Sequence, residues 1–308
     1  MHLLAVNYHY FRETKPKKGI YPLTIKEFGS QIEILAKEYD FISQEDVMKI
    51  SSSQVSTKKK CLLTFDDGLK EQMAVFEWLK TKGIPGTFYV TTDAIMNGEV
   101  LDVHKVHFIR SVLDDESLLN ELLKKFNIDI QNIDEKILQN QYRYDEPDAR
   151  LLKYILNFIL KPDQKKQFID RQFFDLVGSE DDFSRELYMS KSDVKSISDV
   201  GGLGTHCASH APLGQMSEVC SIADIDRSIV AIEEMTGRKP VSISYPYGGV
   251  TAVPNLSDNF YLSRGLYFGL TMTRGVNRFS DINGYFNLKR VDTNDAPGGK
   301  SYRKEYLL

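Results

Sequence analysis

Cys61-Leu62-Leu63-Thr64-Phe65-Asp66-Asp67-Gly68 is the stretch of this chain that decides the fold. An apolar run of this length that ends at a glycine is typical of a buried β-strand followed by a sharp turn. Two carboxylates therefore stand at the end of a buried strand. Because successive side chains of a strand point to opposite faces, Asp66 and Asp67 are expected to play different parts. One can hold a metal while the other takes a proton.

Two later motifs complement these carboxylates. The stretch His206-Cys207-Ala208-Ser209-His210 places two histidines four residues apart, which lets both face one metal if the backbone is helical or tightly turned. The stretch Tyr245-Pro246-Tyr247-Gly248 follows another apolar run. One aspartate with two histidines is a three-ligand set that leaves a metal position open for water, as catalytic sites require. The motifs together predict a catalytic metal site.

Seven segments have the pattern of buried strands, with helical patterns between several of them. The predicted strands are Leu3–His9, Cys61–Asp67, Gly86–Thr92, Leu203–His206, Ser242–Tyr247, Phe268–Thr273 and Asn287–Asp292. Apolar residues at three- and four-residue steps predict helices at Ile25–Tyr39, Glu71–Lys82 and Ile222–Met235. Strands that alternate with helices imply parallel strands joined by crossovers, and seven of them suggest a closed or nearly closed barrel.

Polar residues lie at or near the carboxyl ends of the predicted strands. They are His9, Asp66, Asp67, His206, Tyr247 and Arg290. Parallel barrels build their active sites at this end of the strands. We therefore expect these side chains to lie on one face of the barrel.

Residues 99–195 interrupt the alternation of strands and helices. The stretch is nearly free of glycine, and its apolar residues recur with a helical period. Because a connection of this length is too large for a plain loop, we expect a helical insertion within a single catalytic domain that spans residues 1–308. The insertion serves either as a structural buttress or in substrate binding.

The three motifs, in this order, resemble the signatures of the polysaccharide deacetylase family, also called carbohydrate esterase family 4 or the chitooligosaccharide deacetylase-like family. The resemblance covers roughly residues 1–95 and 200–295. It implies a distorted (β/α)7 barrel with a long helical insertion. It also implies that Asp67, His206 and His210 bind one divalent metal, with zinc first and cobalt, nickel or iron as alternatives. Asp66 then corresponds to the general base, and the Tyr247 backbone N–H to a donor for the oxyanion.

One departure from the common family pattern concerns the base. Ser244 stands where the family has an arginine that steadies this carboxylate. We expect Arg290, at the end of a later strand, to replace that arginine. The alternative is that Arg290 forms a structural salt bridge with Asp292 or another carboxylate.

A second departure concerns the general acid. The common pattern has a histidine near the C-terminus, whereas no histidine follows His210 in this chain. The stretch Asn7-Tyr8-His9-Tyr10 resembles the circularly permuted branch of the family, which includes poly-N-acetylglucosamine deacetylases and carries this motif at the N-terminus. The resemblance therefore implies His9 as the acid that protonates the leaving amine. Tyr8, Tyr10 and Tyr245 are expected to line a wall on which a sugar stacks.

The composition excludes several other classes of protein. The 308 residues are 42% hydrophobic and 27% charged, which is ordinary for a globular protein, and the net charge of −4 makes no electrostatic case for nucleic acid or anionic lipid. Three cysteines do not make a disulfide framework and favour a reducing compartment. The N-terminus lacks a signal-peptide pattern, and no run reaches membrane-spanning length. We therefore expect a cytoplasmic protein, and the oligomeric state is not predicted.

The features together predict a metal-dependent hydrolase that removes an N-acetyl group from an amino sugar of a glycan or glycan precursor. Its partner would be an N-acetylated sugar or oligosaccharide. One alternative is a hydrolase of a non-sugar C–N amide bond on the same fold, since Ser244 is atypical. Another is a catalytically inactive sugar-binding relative, against which the intact carboxylate pair and histidine pair argue.

Overall fold

The computed structural model describes residues 2–50, 59–130, 133–142, 145–278 and 285–307. Within these ranges nine strands form one sheet. They are β1 His2–Tyr8, β2 Tyr39–Phe41, β3 Lys59–Phe65, β4 Thr87–Val90, β5 Leu203–Thr205, β6 Ser242–Ser244, β7 Phe268–Leu270, β8 Asn277–Arg278 and β9 Val291–Asp292. All of the strand pairs are parallel except the antiparallel pair of β8 with β1.

The sheet curls into a barrel. Its parallel strands follow the order β7-β6-β5-β4-β3-β1. The segment after β7 closes the ring, because Leu288 bridges β7 at Leu270 and β9 then pairs with β1. Residues 288–292 thus take the seventh place beside β1 and β3 to β7. The predicted fold class, a distorted (β/α)7 barrel, is confirmed.

The seven predicted strand segments each contain a strand of this barrel. The structure adds β2 at the edge of β3 and β8 at the edge of β1. These additional strands have three and two residues. Neither lies in an apolar run as long as those by which the seven predicted segments were recognised.

Thirteen α-helices lie within the described ranges. They are α1 Ile25–Leu35, α2 Gln44–Lys49, α3 Gln72–Lys82, α4 Thr92–Asn97, α5 Asp102–Val112, α6 Asp115–Phe126, α7 Glu135–Gln141, α8 Pro147–Tyr154, α9 Pro162–Val177, α10 Glu180–Leu187, α11 Lys191–Asp199, α12 Glu218–Thr236 and α13 Asp258–Leu262. The three predicted helices correspond to α1, α3 and α12. Helix α1 begins with a capping box between Thr24 and Glu27, and α3 ends at Gly83, whose φ of 64° stops the helix.

The chain separates into two compact units. The first comprises Met1–Glu13, Pro22–Glu99 and Ser184–Leu308, and it holds the barrel. The second comprises Thr14–Tyr21 and Val100–Phe183, and its described part contains helices α5 to α9. Of the interruption expected at residues 99–195, Val100–Phe183 belongs to the second unit, whereas Glu99 and the part from Ser184 onwards belong to the first. Residues 131–132 and 143–144 of that stretch lie outside the described residues.

The second unit has its own buried centre. Rings of Phe108, Phe173 and Phe183 contact one another edge to face at 4.7–5.8 Å between centroids. Lys105 is buried beside them, and its ammonium lies 2.7 Å from Asp170 and 2.8 Å from Glu180. The two carboxylates compensate the buried cation, as burial of a lysine requires.

The two faces of the barrel strands bury different sets of side chains. The outward set, such as Leu63 and Phe65 of β3, packs in one cluster with Phe28 of α1 and Leu79 of α3. The inward set begins with apolar residues, Leu3 and Ala5 on β1 and Leu62 on β3. Towards the carboxyl end the inward positions become polar, because the next members of the alternation are Asn7, Thr64 and Asp66. This change along the strands places a polar site at one end of an apolar barrel.

None of the described helices combines the length and the apolar character that crossing a bilayer requires.

Candidate metal centre

The three predicted metal ligands meet at the carboxyl end of the barrel. Asp67 follows β3, and His206 and His210 lie in the turn after β5. The Nε2 atoms of His206 and His210 are 3.4 Å and 3.3 Å from Oδ1 of Asp67. One ligand atom from each residue lies within 4.8 Å of the others, and all three residues are buried. In the described part of the chain no other group of three histidine, cysteine or acidic residues converges in this way.

These positions fit a divalent metal. A tetrahedral centre with bonds of about 2.1 Å has its ligand atoms about 3.4 Å apart. The two Asp67 distances agree with that edge length. One carboxylate oxygen and two imidazole nitrogens form a donor set that suits zinc and other first-row divalent ions.

The tautomer of His206 is set by its second nitrogen. Nδ1 lies 2.7 Å from the carbonyl oxygen of Ser244, and a carbonyl only accepts, so Nδ1 carries the proton and donates it. Nε2 is then the atom that faces Asp67. Burial lowers the pKa of His206, but the negative charges of Asp66 and Asp67 outweigh burial and raise it above the ordinary value. A proton and a metal therefore compete for Nε2.

The backbone of the site is strained. Five non-glycine residues of the described chain have a left-handed φ, and four of them belong to the site motifs. Their values are 79° for Asp67, 65° for Cys207, 59° for His210 and 62° for Tyr247. Each such residue costs about 1–3 kcal/mol and persists only where its surroundings hold it. The segment that carries the two histidines therefore forms a tight turn and not a helix.

Asp66 lies against Arg290. The Nη1 of Arg290 lies 2.9 Å from Oδ1 and 2.8 Å from Oδ2 of this carboxylate. Ser244 Oγ donates to Oδ2 at 3.2 Å. Asp292, the alternative partner of Arg290, accepts instead from the backbone N–H of Asn294. The structure thus brings Arg290 to the carboxylate that Ser244 contacts.

Arg290 is completely buried and is held on several sides. Its Nε donates to the carbonyl of Thr271 at 3.1 Å, and its Nη1 also donates to Oδ1 of Asn7 at 3.0 Å. Burial alone would raise the pKa of Asp66, but the charges of Arg290 and His206 and the hydrogen bond from Arg290 lower it below the ordinary value. Asp66 is therefore ionised at neutral pH and can accept a proton.

His9 lies one residue beyond β1, beside Asp66. The side-chain amide of Gln72 donates to the carbonyl of His9 at 2.9 Å and to that of Asp66 at 2.7 Å, which ties the ends of β1 and β3 together. The charge of His9 is among the causes that lower the pKa of Asp66, after burial, Arg290 and His206. Burial, followed by the charge of Asp67, raises the pKa of Tyr10. The N-terminal motif therefore lies close to both carboxylates.

The aromatic residues differ from the expected sugar-stacking wall. Tyr8 stacks on Phe65 in the core, and Tyr245 is buried with Tyr261, so neither can contact a sugar and that prediction is wrong for both. Tyr8, the last residue of β1, and Tyr245, the residue after β6, both pack in apolar clusters. Tyr247 is 42% exposed, and its ring lies 5.1 Å from that of His210. This ring borders one of the proposed ligands.

Sequence reasoning missed Asp224 and Gln72. Asp224 lies on the buried face of α12 and accepts from the backbone N–H of Ala208 at 2.8 Å. Neither residue belongs to a motif, and their partners lie in other segments of the chain. The sequence did carry one signal for Asp224, since a carboxylate on the apolar stripe of a predicted helix indicates a buried acidic residue.

Comparison with known proteins agrees with this geometry. A family model described as Polysaccharide deacetylase matches residues 166–258. The matched residues include His206, His210 and Tyr247, and the carboxylate pair at 66–67 lies outside them. No curated protein sequence matches the chain.

Several solved structures have a similar fold. The Streptococcus pyogenes deacetylase PplD in complex with acetate aligns with a TM-score of 0.57 at 15% identity, over 95% of this chain and 92% of that one. IcaB from Ammonifex degensii aligns with a TM-score of 0.56 at 16% identity, over 96% and 94%. A de-N-acetylase from Aggregatibacter actinomycetemcomitans aligns with a TM-score of 0.53 at 14% identity, over 95% and 95%. At these identities the likeness shows a shared fold.

Proposed function

We propose that the chain is a metal-dependent hydrolase that removes N-acetyl groups from an amino sugar of a glycan or glycan precursor. The match of residues 166–258 to the polysaccharide deacetylase family model supports this proposal. The observation that carries the proposal is the convergence of Asp67, His206 and His210 next to an ionised Asp66 held by Arg290. This arrangement supports the proposal because it offers three ligand atoms for a metal and a separate carboxylate that can accept a proton, all within one buried cluster.

The ligand roles follow from the donor set. Asp67, His206 and His210 would hold one divalent ion, for which zinc is the first candidate. When bound, such an ion polarises the acyl oxygen and lowers the pKa of its bound water. The Nδ1–H bond from His206 to the Ser244 carbonyl orients the imidazole for this purpose.

Asp66 is the proposed general base. Its carboxylate takes a proton from the attacking water as the water oxygen bonds to the acyl carbon. Arg290 and Ser244 donate to the carboxylate and hold its orientation. In this proposal Arg290 supplies the charge that the common family pattern draws from an arginine at the position of Ser244.

His9 is the proposed general acid. It gives a proton to the amine nitrogen as the C–N bond breaks, so the products are acetate and a free amino sugar. The backbone N–H of Tyr247 is the proposed donor to the negative oxygen that develops on the acyl carbon. The position of His9 next to Asp66 supports this division of labour, since the acid and the base must reach the same reacting group.

A substrate panel tests the proposal. Zinc-loaded protein is incubated with N-acetylglucosamine oligomers and, separately, with N-acetylated amino acid amides, and the released acetate and free amine are measured. An Asp66→Asn variant and a matched Asp226→Asn variant, changed on α12 outside the site, are assayed in parallel. We expect acetate from the oligomers with wild type and Asp226→Asn only.

The other outcomes identify the alternatives. If acetate were released from the amino acid amides alone, the chain would instead be a hydrolase of non-sugar amides. Binding of the oligomers without acetate release would identify an inactive sugar-binding relative.

A further inference from the structure

The turn between the two histidine ligands is held through its backbone N–H groups. The N–H of Cys207 donates to Thr205 Oγ1 at 3.0 Å. The N–H of Ala208 donates to Oδ1 of Asp224 at 2.8 Å, and that of Ser209 lies 3.4 Å and 3.3 Å from its two oxygens. Two of the three N–H groups between the ligands thus point at one carboxylate.

Asp224 is built into the fold for this contact. It lies on α12 with 4% of its surface exposed, between the buried residues Ser221, Ile225 and Ser228 of the same helix face. A buried carboxylate needs hydrogen-bond donors, and the turn supplies them. Arg227, one turn further along the helix, also contacts it at 3.2 Å, but Arg227 is largely exposed and its charge is screened by solvent.

The opposite side of the turn is held by another segment. The N–H groups of Thr92 and Asp93 donate to the carbonyls of Cys207 and Ala208 at 3.2 Å and 3.0 Å. Arg227 bridges Asp93 and Asp224 at 2.9 Å and 3.2 Å. The start of α4 and the middle of α12 therefore clamp the turn from two sides.

We infer that Asp224 is a positioning residue that sets the metal affinity by holding the 207–210 turn in its left-handed conformation. This inference rests on the proposed metal-dependent function. Cys207 and His210 have φ values that L-residues rarely adopt, and neither is a glycine. Without the carboxylate the two N–H groups lose their acceptor, and the turn relaxes towards ordinary φ values. The two Nε2 atoms then no longer share the position near Asp67.

The test measures zinc affinity directly. Metal-free wild type, Asp224→Ala, Asp224→Asn and Asp226→Ala are titrated with zinc in competition with a chromogenic chelator. Loss of a residue that orients a metal ligand typically weakens affinity by about 10–100-fold, and we expect that loss for Asp224→Ala. Asp224→Asn keeps one oxygen for the N–H of Ala208 and should lose less. Asp226 lies on the same helix as Asp224 and pairs with Arg264 after α13, so Asp226→Ala should bind zinc within about twofold of wild type.

Two further readings separate positioning from general support of the fold. The thermal midpoint of the metal-free proteins reports stability, and the absorption spectrum of the cobalt-loaded proteins reports the coordination geometry. A purely structural residue would lower the midpoint and leave the zinc Kd and the cobalt spectrum unchanged. Such a result for Asp224→Ala would overturn the inference. If Asp224→Ala does not fold, an unchanged Kd for Asp224→Asn would overturn it equally.

The same titration distinguishes this inference from the proposed function. Wild type that binds no zinc would refute both. Wild type that binds zinc with the expected loss in Asp224→Ala, but releases no acetate from any substrate, would refute the hydrolase and support the positioning.

Discussion

Replacing Arg290 by methionine removes a buried guanidinium that contacts Asp66. The two side chains are 0% and 2% exposed, and their closest nitrogen–oxygen distance is 2.8 Å. Removal of one member of a buried ion pair costs about 3–5 kcal/mol, because the other charge stays buried without its partner. Methionine has a similar length, so little of this loss would come from a cavity. We therefore expect the free energy of unfolding to fall by about 3–5 kcal/mol at pH 7.

The loss should depend on pH. In wild type the pKa of Asp66 is lowered by folding, so its contribution to stability is present above the unfolded pKa of about 3.9 and is lost as the pH falls through the folded pKa. In Arg290→Met the charge and hydrogen bond that counteract the effect of burial on Asp66 are lost, so the pKa of Asp66 in the folded protein rises. If it rises above the unfolded value, Asp66 destabilises the variant as the pH increases. The gap between the two proteins should therefore be widest near neutral pH and should narrow below about pH 4.

Urea unfolding with excess chelator measures this gap, and Trp78, which contacts Phe28 in the core, supplies the fluorescence signal. An Asp66→Asn/Arg290→Met double variant should regain part of the loss, since no buried charge remains. Arg303→Met, which removes an exposed pair with Glu305, should stay within about 0.5 kcal/mol of wild type. A cost below about 1 kcal/mol for Arg290→Met, or a double variant as destabilised as the sum of the single variants, would refute the reasoning.

The catalytic roles give two further predictions. Asp66→Asn should retain metal, measured by mass spectrometry, and lose turnover, because the amide keeps the shape of the side chain but cannot act as the base. A rate near that of wild type would mean that another group is the base. His9→Phe should reduce kcat by about 10²–10⁴-fold with metal content unchanged, because the leaving amine loses its acid. An unchanged kcat for His9→Phe would leave another group as the proton donor.

The local pattern of apolar and polar residues was sufficient to predict most strands of the barrel. Alternation in the 61–67 stretch predicted that Asp66 and Asp67 would have different partners, and the structure brings them to Arg290 and to the histidines. Strand ends predicted where the polar residues would gather. Their catalytic roles stay predictions.

Long-range contacts were less accessible. Arg290 and Asp66 are 224 residues apart, and the sequence related them only through the arginine missing at Ser244 and the position of both residues near strand ends. Asp224 lies on the apolar stripe of a helix, which indicates that it is buried, but the turn that it contacts belongs to another segment and is not revealed by local spacing. The prediction that Tyr8 and Tyr245 line a sugar-stacking wall was wrong because their exposure depends on which face of the chain is covered by other elements, and the motifs do not encode that.

Metal titration of acetate release tests the central claim most directly. Metal-free wild type is titrated with zinc while acetate release from N-acetylglucosamine oligomers is followed, and His206→Ala is treated in the same way. We predict that the wild-type rate rises to a break at about one equivalent of zinc, and that His206→Ala neither retains zinc nor releases acetate. Acetate release that persists in excess chelator, or full zinc occupancy in His206→Ala, would contradict the assignment of this site.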